Sequence, residues 1–148
     1  MSISYDLFTE AFLSKITEYE FLKLDEEDRV KIVDGYMHRS LGYFKNVCDY
    51  DFSNRDDEGR TFGVEIPDSD IDEIVDIVSE GMVVQWLKPH VYKQELLENI
   101  LNTKDYSTYS PAELLLRVKE TYTSVKKEYQ NMVREYSYNH GDLTRLHL

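Results

Sequence analysis

The sequence contains little cysteine, proline, glycine or tryptophan and no long hydrophobic run. Its 148 residues include one cysteine, three prolines, six glycines and one tryptophan. Cys48 alone can form neither an intramolecular disulfide nor a thiolate metal cluster, which favours a reducing compartment. No window approaches the roughly 20 apolar residues of a membrane helix, and residues 1–6 lack the basic and apolar regions of a secretory signal. We therefore expect a protein that is neither secreted by that route nor embedded in a membrane.

Basic side chains are scarce relative to acidic ones. The chain carries 17 Lys and Arg against 29 Asp and Glu, a formal net charge of −12. Residues 1–101 hold 23 of the acids and 10 of the bases, whereas residues 102–148 hold 6 and 7. Because a phosphate backbone normally binds a basic face, this balance disfavours direct nucleic-acid binding and favours a role in protein–protein contacts.

Core-forming side chains are plentiful. Hydrophobic residues make up 41% of the chain, with 12 Tyr and 6 Phe, which is too many for a disordered protein. A chain of this length usually forms one domain with its own core. We predict a single helical domain over 1–148: an all-α bundle of four to five helices, with a long C-terminal helix and one long acidic loop.

Residues 1–47 are predicted to form two helices. Phe8, Phe12 and Ile16 have helical spacing, which indicates a first helix from Tyr5 to about Tyr19. A second helix should begin near Asp25, where acids follow a capping residue. Its continuous apolar face is predicted at Val30, Val33, Met37, Leu41 and Phe44. Two glycines in this helix, Gly35 and Gly42, are expected to permit close approach of a neighbouring helix.

Residues 48–67 are rich in acids and interrupted by Gly and Pro, and they predict the main loop. A short β-hairpin arm within residues 61–66 and a protruding loop both remain open. The acids from Asp49 onward resemble the start of a calcium loop. However, Asn54 replaces the required Gly and Arg60 replaces the required Glu, so a solvated acidic loop is favoured.

Residues 68–101 predict a central helix followed by a shorter one. The segment after Asp68 is apolar around most of its circumference, which is typical of the helix at the centre of a bundle. Pro89 is expected to end or kink this helix, with the shorter helix following over 91–101.

Residues 110–139 predict the long helix. Ser110, Pro111 and Glu113 form an N-terminal capping signal. Apolar residues then recur at alternating steps of three and four: Leu115, Val118, Tyr122, Val125, Tyr129, Met132 and Tyr136. A helix to Asn139 would span roughly 43 Å, longer than a small bundle is wide, so part of it should project or meet another chain. Residues 140–148 form a tail.

No pattern of residues indicates catalysis, a cofactor or a metal site. The four histidines are far apart and form no HExxH pair, and phosphate-binding and hydrolase motifs are missing from the sequence. Cys48 is expected to be a semi-buried thiol rather than a nucleophile. We predict a protein that is not an enzyme.

Tyrosine is concentrated in the C-terminal third, where seven of the 12 lie in the last 57 residues. Tyrosine is common in protein interfaces because it joins apolar area to a polar tip. We interpret Tyr122, Tyr129 and Tyr136 as core positions. The interface candidates in this third are Tyr106, Tyr109 and Tyr138, together with the leucine-rich tail residues Leu143, Arg145, Leu146 and Leu148.

The order of features from Gly81 to Tyr138 resembles that of head-to-tail connector (adaptor or neck) proteins of tailed bacteriophages. The resemblance covers about two fifths of the chain. It is carried by GMVVQWL at 81–87, LNTKDYSTYSPA at 101–112 and REYSY at 134–138.

This resemblance implies a non-enzymatic structural virion protein at the head–tail junction, assembled in the host cytoplasm. It implies a homo-oligomeric ring, with a dodecamer expected, between the portal and a neck or tail protein. DNA would pass through the lumen without specific binding, and an acidic wall suits that task. Residues 143–148 are the candidate contact on one side, and the 49–67 segment, with Arg55, Arg60 and Phe62, is the candidate on the other.

Two other interpretations remain open from the sequence. One is a helical adaptor or regulatory protein that binds another protein through its tyrosine-rich C-terminal third. The other is a small metal-dependent enzyme that uses the acids of residues 49–58.

Overall fold

A computed structural model describes residues 3–16, 29–92 and 111–140. Within these ranges lie four helices: α1 (Asp6–Ile16), α2 (Arg29–Phe44), α3 (Asp68–Tyr92) and α4 (Pro111–His140). Three two-residue strands accompany them: β1 (Ile3–Ser4), β2 (Arg55–Asp56) and β3 (Thr61–Phe62). The chain is therefore mainly helical, as predicted, with a small antiparallel sheet added to the bundle. None of the described helices is long and apolar enough to cross a membrane.

Helix α3 lies at the centre of the bundle. It packs against α1, α2 and α4, whereas α1 and α2 contact each other only slightly. Its side chains are buried on several faces, including Met82, Val83, Trp86 and Leu87 at 2% exposure or less. A helix needs apolar residues around its circumference to bury them against three neighbours, and the sequence of α3 supplies them.

The repeating apolar positions of α4 face the core, as predicted. Val118, Tyr122, Val125 and Tyr136 are buried, and Tyr129 and Met132 are partly buried against the same cluster. The helix begins at Pro111 and runs one residue beyond the predicted end. Leu115 and the capping Ser110 lie outside the side chains that the structure describes.

The 48–67 segment contains the hairpin that the sequence left open. Strands β2 and β3 pair antiparallel, with Arg55 opposite Phe62. The second edge of β3 pairs with β1, with Ile3 opposite Phe62. The sheet order is therefore β1-β3-β2, and it attaches the start of the chain to the hairpin. The β1 pairing was not predicted.

Two local predictions were wrong. Val30, placed on the buried face of α2, is 57% exposed. Among the residues that the structure describes, no atom lies within 4 Å of a Cβ added at Gly35 or Gly42, so these glycines mediate no close approach of the described helices. That role belongs to Gly81 of α3, where an added Cβ would lie 2.8 Å from the Tyr129 ring and would collide with the Ser40 hydroxyl.

Helix α3 continues through Pro89 to Tyr92, so the proline does not end it. The predicted start of α2 near Asp25, the short helix over 91–101 beyond Tyr92, and the tail after His140 lie outside the described residues.

Candidate functional site

Arg60 anchors the hairpin to two helices. Its Nε and Nη2 each donate to a carboxylate oxygen of Asp34 at 2.9 Å, and its Nη1 donates to Asp6 at 2.7 Å. Its backbone carbonyl accepts the N–H of Tyr5 at 2.9 Å. The hydrogen bonds with Asp34, followed by those with Asp6, raise the pKa of the guanidinium. Arg60 was an interface candidate from the sequence. In this conformation its guanidinium binds Asp34 and Asp6 of the same chain.

Phe62 is also placed inside the molecule. Its ring is fully buried, with ring centroids 4.6 Å from Tyr5, 5.3 Å from Phe52 and 5.7 Å from Phe8. The position of Phe62 in β3 directs its side chain to the helices. Phe62 was an interface candidate from the sequence, but in this conformation its side chain is not exposed to a partner.

Arg55, the third candidate of this segment, belongs to a polar cluster with Tyr5, His38 and Asp57. Its Nη1 donates to His38 Nδ1 at 2.9 Å. Its Nε lies 3.5 Å from Asp57, which accepts the Tyr5 hydroxyl at 2.6 Å and lies 3.5 Å from His38 Nε2. Because a guanidinium can only donate, His38 Nδ1 must accept, which places the imidazole proton on Nε2 towards Asp57. The side chain of Arg55 stays 41% exposed.

In this cluster, burial and neighbouring groups favour the protonation state that each side chain needs for its hydrogen bonds. Burial and Arg55 lower the pKa of His38, so the imidazole tends to be neutral. Burial and the hydrogen bond to Asp57 raise the pKa of Tyr5, and that hydrogen bond lowers the pKa of Asp57. The phenol therefore remains protonated as a donor and the carboxylate ionised as an acceptor. The arrangement joins Tyr5, which lies between β1 and α1, to α2 and the hairpin.

Cys48 is buried after the end of α2. Burial raises the pKa of its thiol, and its sulfur lies 3.9 Å from the Tyr136 hydroxyl. A raised pKa keeps the group as a thiol, which is a weak nucleophile. The sequence interpretation of Cys48 as a packed thiol agrees with this placement.

Three of the acids in residues 49–58 accept hydrogen bonds within their own segment or from a neighbouring side chain. Asp51 accepts the N–H and hydroxyl of Ser53, and Asp56 accepts the N–H of Glu58 at 3.2 Å. Asp57 bonds to Tyr5, as above. Over residues 3–16, 29–92 and 111–140, no three His, Cys, Asp or Glu side chains are arranged to hold a metal ion.

The helices present several large apolar side chains to solvent. On α4, Leu116 is 57% exposed and Tyr138 is 73% exposed. On α2, Val30, Ile32 and Tyr43 are 57%, 40% and 58% exposed. Tyr138 was an interface candidate from the sequence. Val30 was missed because the periodic pattern assigned it to the buried face of α2. Ile32, Tyr43 and Leu116 lie off the predicted apolar stripes and were not singled out from the sequence.

An open groove lies beside the hairpin. It has a volume of about 970 Å³ and is bounded by the start of the chain, by residues 64–67 and by the first turns of α3. A smaller groove of about 400 Å³ lies between α2 and residues 48–55. The candidates Tyr106, Tyr109, Leu143, Arg145, Leu146 and Leu148 lie outside the described residues.

Comparisons of this chain with protein-family models, with curated proteins and with solved structures gave no significant match. The connector interpretation therefore rests on the residues quoted from 81–138.

Proposed function

We propose that this chain is a non-enzymatic structural protein that assembles into a ring through its helices, as a head-to-tail connector of a tailed bacteriophage. The sequence resemblance over residues 81–138 supports the specific assignment. The observation that carries the broader assignment is the exposed apolar surface of α4 together with α2.

Helix α4 is suited to hold contact points at a fixed distance. Its 30 residues span about 45 Å. Leu116 and Tyr138 are separated by 22 residues, or about 33 Å along the axis. One face of the helix is fixed to the core by Val118, Tyr122 and Tyr136. Two exposed apolar side chains on one rigid rod can therefore meet a neighbouring subunit in a single geometry, which a closed ring requires.

Helix α2 carries a further exposed aromatic side chain beside α4. Tyr43, which is 58% exposed, is close enough to Tyr129 of α4 to add to the effect of burial in raising the pKa of that phenol. Exposed tyrosines are favourable interface residues because they bury a large area while fixing few rotatable bonds. Tyr43 is therefore proposed as a second subunit contact, beside the core-facing side of α4 and separate from the face that carries Leu116 and Tyr138.

The charge of the chain fits the proposed role in DNA passage. A net charge of −12 on each subunit, repeated around a ring, gives the whole assembly a negative field that repels phosphate. DNA would then move through the ring without adhering to it. In this proposal the partners are further copies of the chain, the portal protein, and a neck or tail protein.

Negative-stain imaging of the purified protein, alone and mixed with its portal protein, tests the proposal. Rings that stack coaxially on portal particles are the expected result. A protein that stays monomeric and leaves the portal particles unchanged would contradict both the ring and the connector assignment.

The exposed Tyr138 also favours a second function, that of an adaptor or regulatory protein that binds one other protein through its C-terminal third. In that case a complex of fixed one-to-one stoichiometry should form with the partner and no ring should be seen. Replacing Tyr138 by Ser would then weaken that complex.

A further inference from the structure

The groove of about 970 Å³ has an apolar floor and an acidic rim. Its apolar lining comes from three parts of the chain: Ile3, Leu7, Val64, Ile66, Ile71 and Val75. These side chains are partly exposed, and Leu7 is 45% exposed. Carboxylates of Glu65, Asp68 and Asp72 also line the groove, and none of its described lining residues is basic. This chemistry fits an apolar segment that carries a positive charge.

The end of α4 lies close to this groove. Tyr136 packs on Phe44 with ring centroids 4.9 Å apart. Burial is the largest cause of the raised pKa of Tyr136, followed by Cys48, and Tyr50 and Asp70 are near enough to raise it further. The Tyr50 hydroxyl donates to Asp70 at 2.8 Å, and Tyr50 itself lines the groove. His140, the last residue of α4, is one helical turn, or about 6 Å, beyond Tyr136.

The eight residues that follow α4 have the composition that the groove requires. Residues 141–148 include Leu143, Leu146 and Leu148, with Arg145 between the first two. Asp142 precedes them, so the positive charge belongs to residues 143–148. In an extended form they would reach about 26 Å from the end of the helix. Since they begin beside the groove, their effective concentration there is high, in the millimolar range for a short connection.

We propose that residues 141–148 dock in this groove within the same chain, with the leucines on the apolar floor and Arg145 against the carboxylates of Asp68 and Asp72. Docking would cover the partly exposed apolar side chains and neutralise part of the acidic rim. This proposal does not depend on ring assembly, because both the groove and the segment belong to one protomer.

Disulfide trapping in the full-length chain tests the proposal. The variant carries Leu7→Cys and Leu146→Cys. The matched control carries Leu146→Cys with Gln130→Cys, which is exposed on α4 about 15 Å from the end of the helix and so within reach of the segment. Cys48 is buried and is retained. Under mild oxidation, mapped by peptide mass spectrometry, the groove pair should form an intramolecular disulfide about five- to tenfold faster than the control pair. Adding Arg145→Glu to the groove pair should slow the reaction towards the control rate.

Two results would overturn the proposal. A disulfide that joins two chains would show that the segment reaches a second copy, and equal rates for the groove and control pairs would show that it does not select the groove. If Leu7→Cys fails to fold, as judged by its circular dichroism spectrum, Pro67→Cys at the exposed edge of the groove takes its place with the same expected ratio.

Discussion

At the scale of single residues, Arg60 combines an unfavourable backbone with favourable side-chain bonds. Its φ of 53° lies in the left-handed region, which disfavours residues with a Cβ. The guanidinium offsets this cost by bonding to Asp34 and Asp6, and its carbon lies 5.8 Å from the centroid of the Tyr5 ring. A glycine would have been the ordinary residue here. The hairpin therefore depends on this side chain rather than on a flexible backbone.

Replacing Arg60 separates the two effects. Arg60→Ala should lower the free energy of unfolding by about 2 kcal/mol, because it removes charge-assisted hydrogen bonds and keeps the left-handed strain. Arg60→Gly should lower the free energy of unfolding by only about 1 kcal/mol, since glycine adopts this φ without strain. Urea denaturation measures both. The exposed Arg134→Ala on α4 serves as the control, with a change below about 0.5 kcal/mol. Equal losses for the Ala and Gly variants would contradict the strain argument.

His38 makes the stability depend on pH. Its pKa is lowered in the folded state by burial and by Arg55, against the opposite effect of Asp57 and Asp34. The folded protein thus binds this proton less readily than the unfolded chain, so acid favours unfolding. The associated stability is fully present above the ordinary histidine pKa of 6.5 and is lost as the pH falls below it. Asp57, whose pKa is lowered, titrates in a separate and more acidic range.

His38→Gln tests this directly, because glutamine offers Arg55 a neutral acceptor and does not titrate. Between pH 7.5 and 5.5, the urea midpoint of the native protein should fall more steeply than that of the variant. Parallel curves, or a native protein that gains stability in acid, would show that the sign is wrong.

At the scale of elements, the helices could be predicted because their apolar spacing is local. Phe8, Phe12 and Ile16 identified α1, and the alternating steps from Val118 to Tyr136 identified α4. The β1–β3 pairing could not be predicted in this way. It joins residues 57 and 59 positions apart through strands of two residues, too short for an alternating pattern to be recognised.

In the candidate site and at the glycines, too, features set by local sequence could be predicted and features set by distant residues could not. The exposure of Tyr138 agrees with its position off the apolar stripe, but the inward placement of Arg60 and Phe62 depends on partners in α1 and α2 that are distant in sequence. The role of Gly81 depends on Ser40 and Tyr129 meeting at one point of α3. Nothing in the residues around Gly81 reveals that convergence.

Gly81→Ala should destabilise the protein by about 1 to 3 kcal/mol, because the new Cβ would overlap the Tyr129 ring and the Ser40 hydroxyl, which itself donates to the Val78 carbonyl. Gly35→Ala and Gly42→Ala are matched controls on α2. Both have open space, so each should raise stability by about 0.5 to 1 kcal/mol through better helix propensity. Thermal and urea unfolding report all three. A Gly81→Ala protein as stable as these controls would contradict the close approach of the three helices.

At the scale of the whole molecule, the central helix α3 packs against α1 on one side and against α4 on another. On one side, α1 is tied to α3 by Lys15, whose ammonium lies 2.7 Å from Asp76 and 2.7 Å from Glu80. On the other side, α4 packs on α3 and leaves Leu116 and Tyr138 exposed. The proposed subunit contact therefore lies on the α4 side, and the groove proposed for residues 141–148 lies at the start of α3.

The measurement that tests the proposed assembly most directly is native mass spectrometry of the native chain, of a Leu116→Ser, Tyr138→Ser double variant, and of a Lys119→Ser, Glu135→Ser control with exposed polar positions on the same helix. The account predicts a ring, at a fixed multiple of the 17.5 kDa chain, for the native and control proteins. It predicts folded monomers for the double variant, because its two exposed side chains contribute to the subunit contact and not to the core. A native chain that remains at 17.5 kDa at every concentration, with and without portal protein, would contradict it.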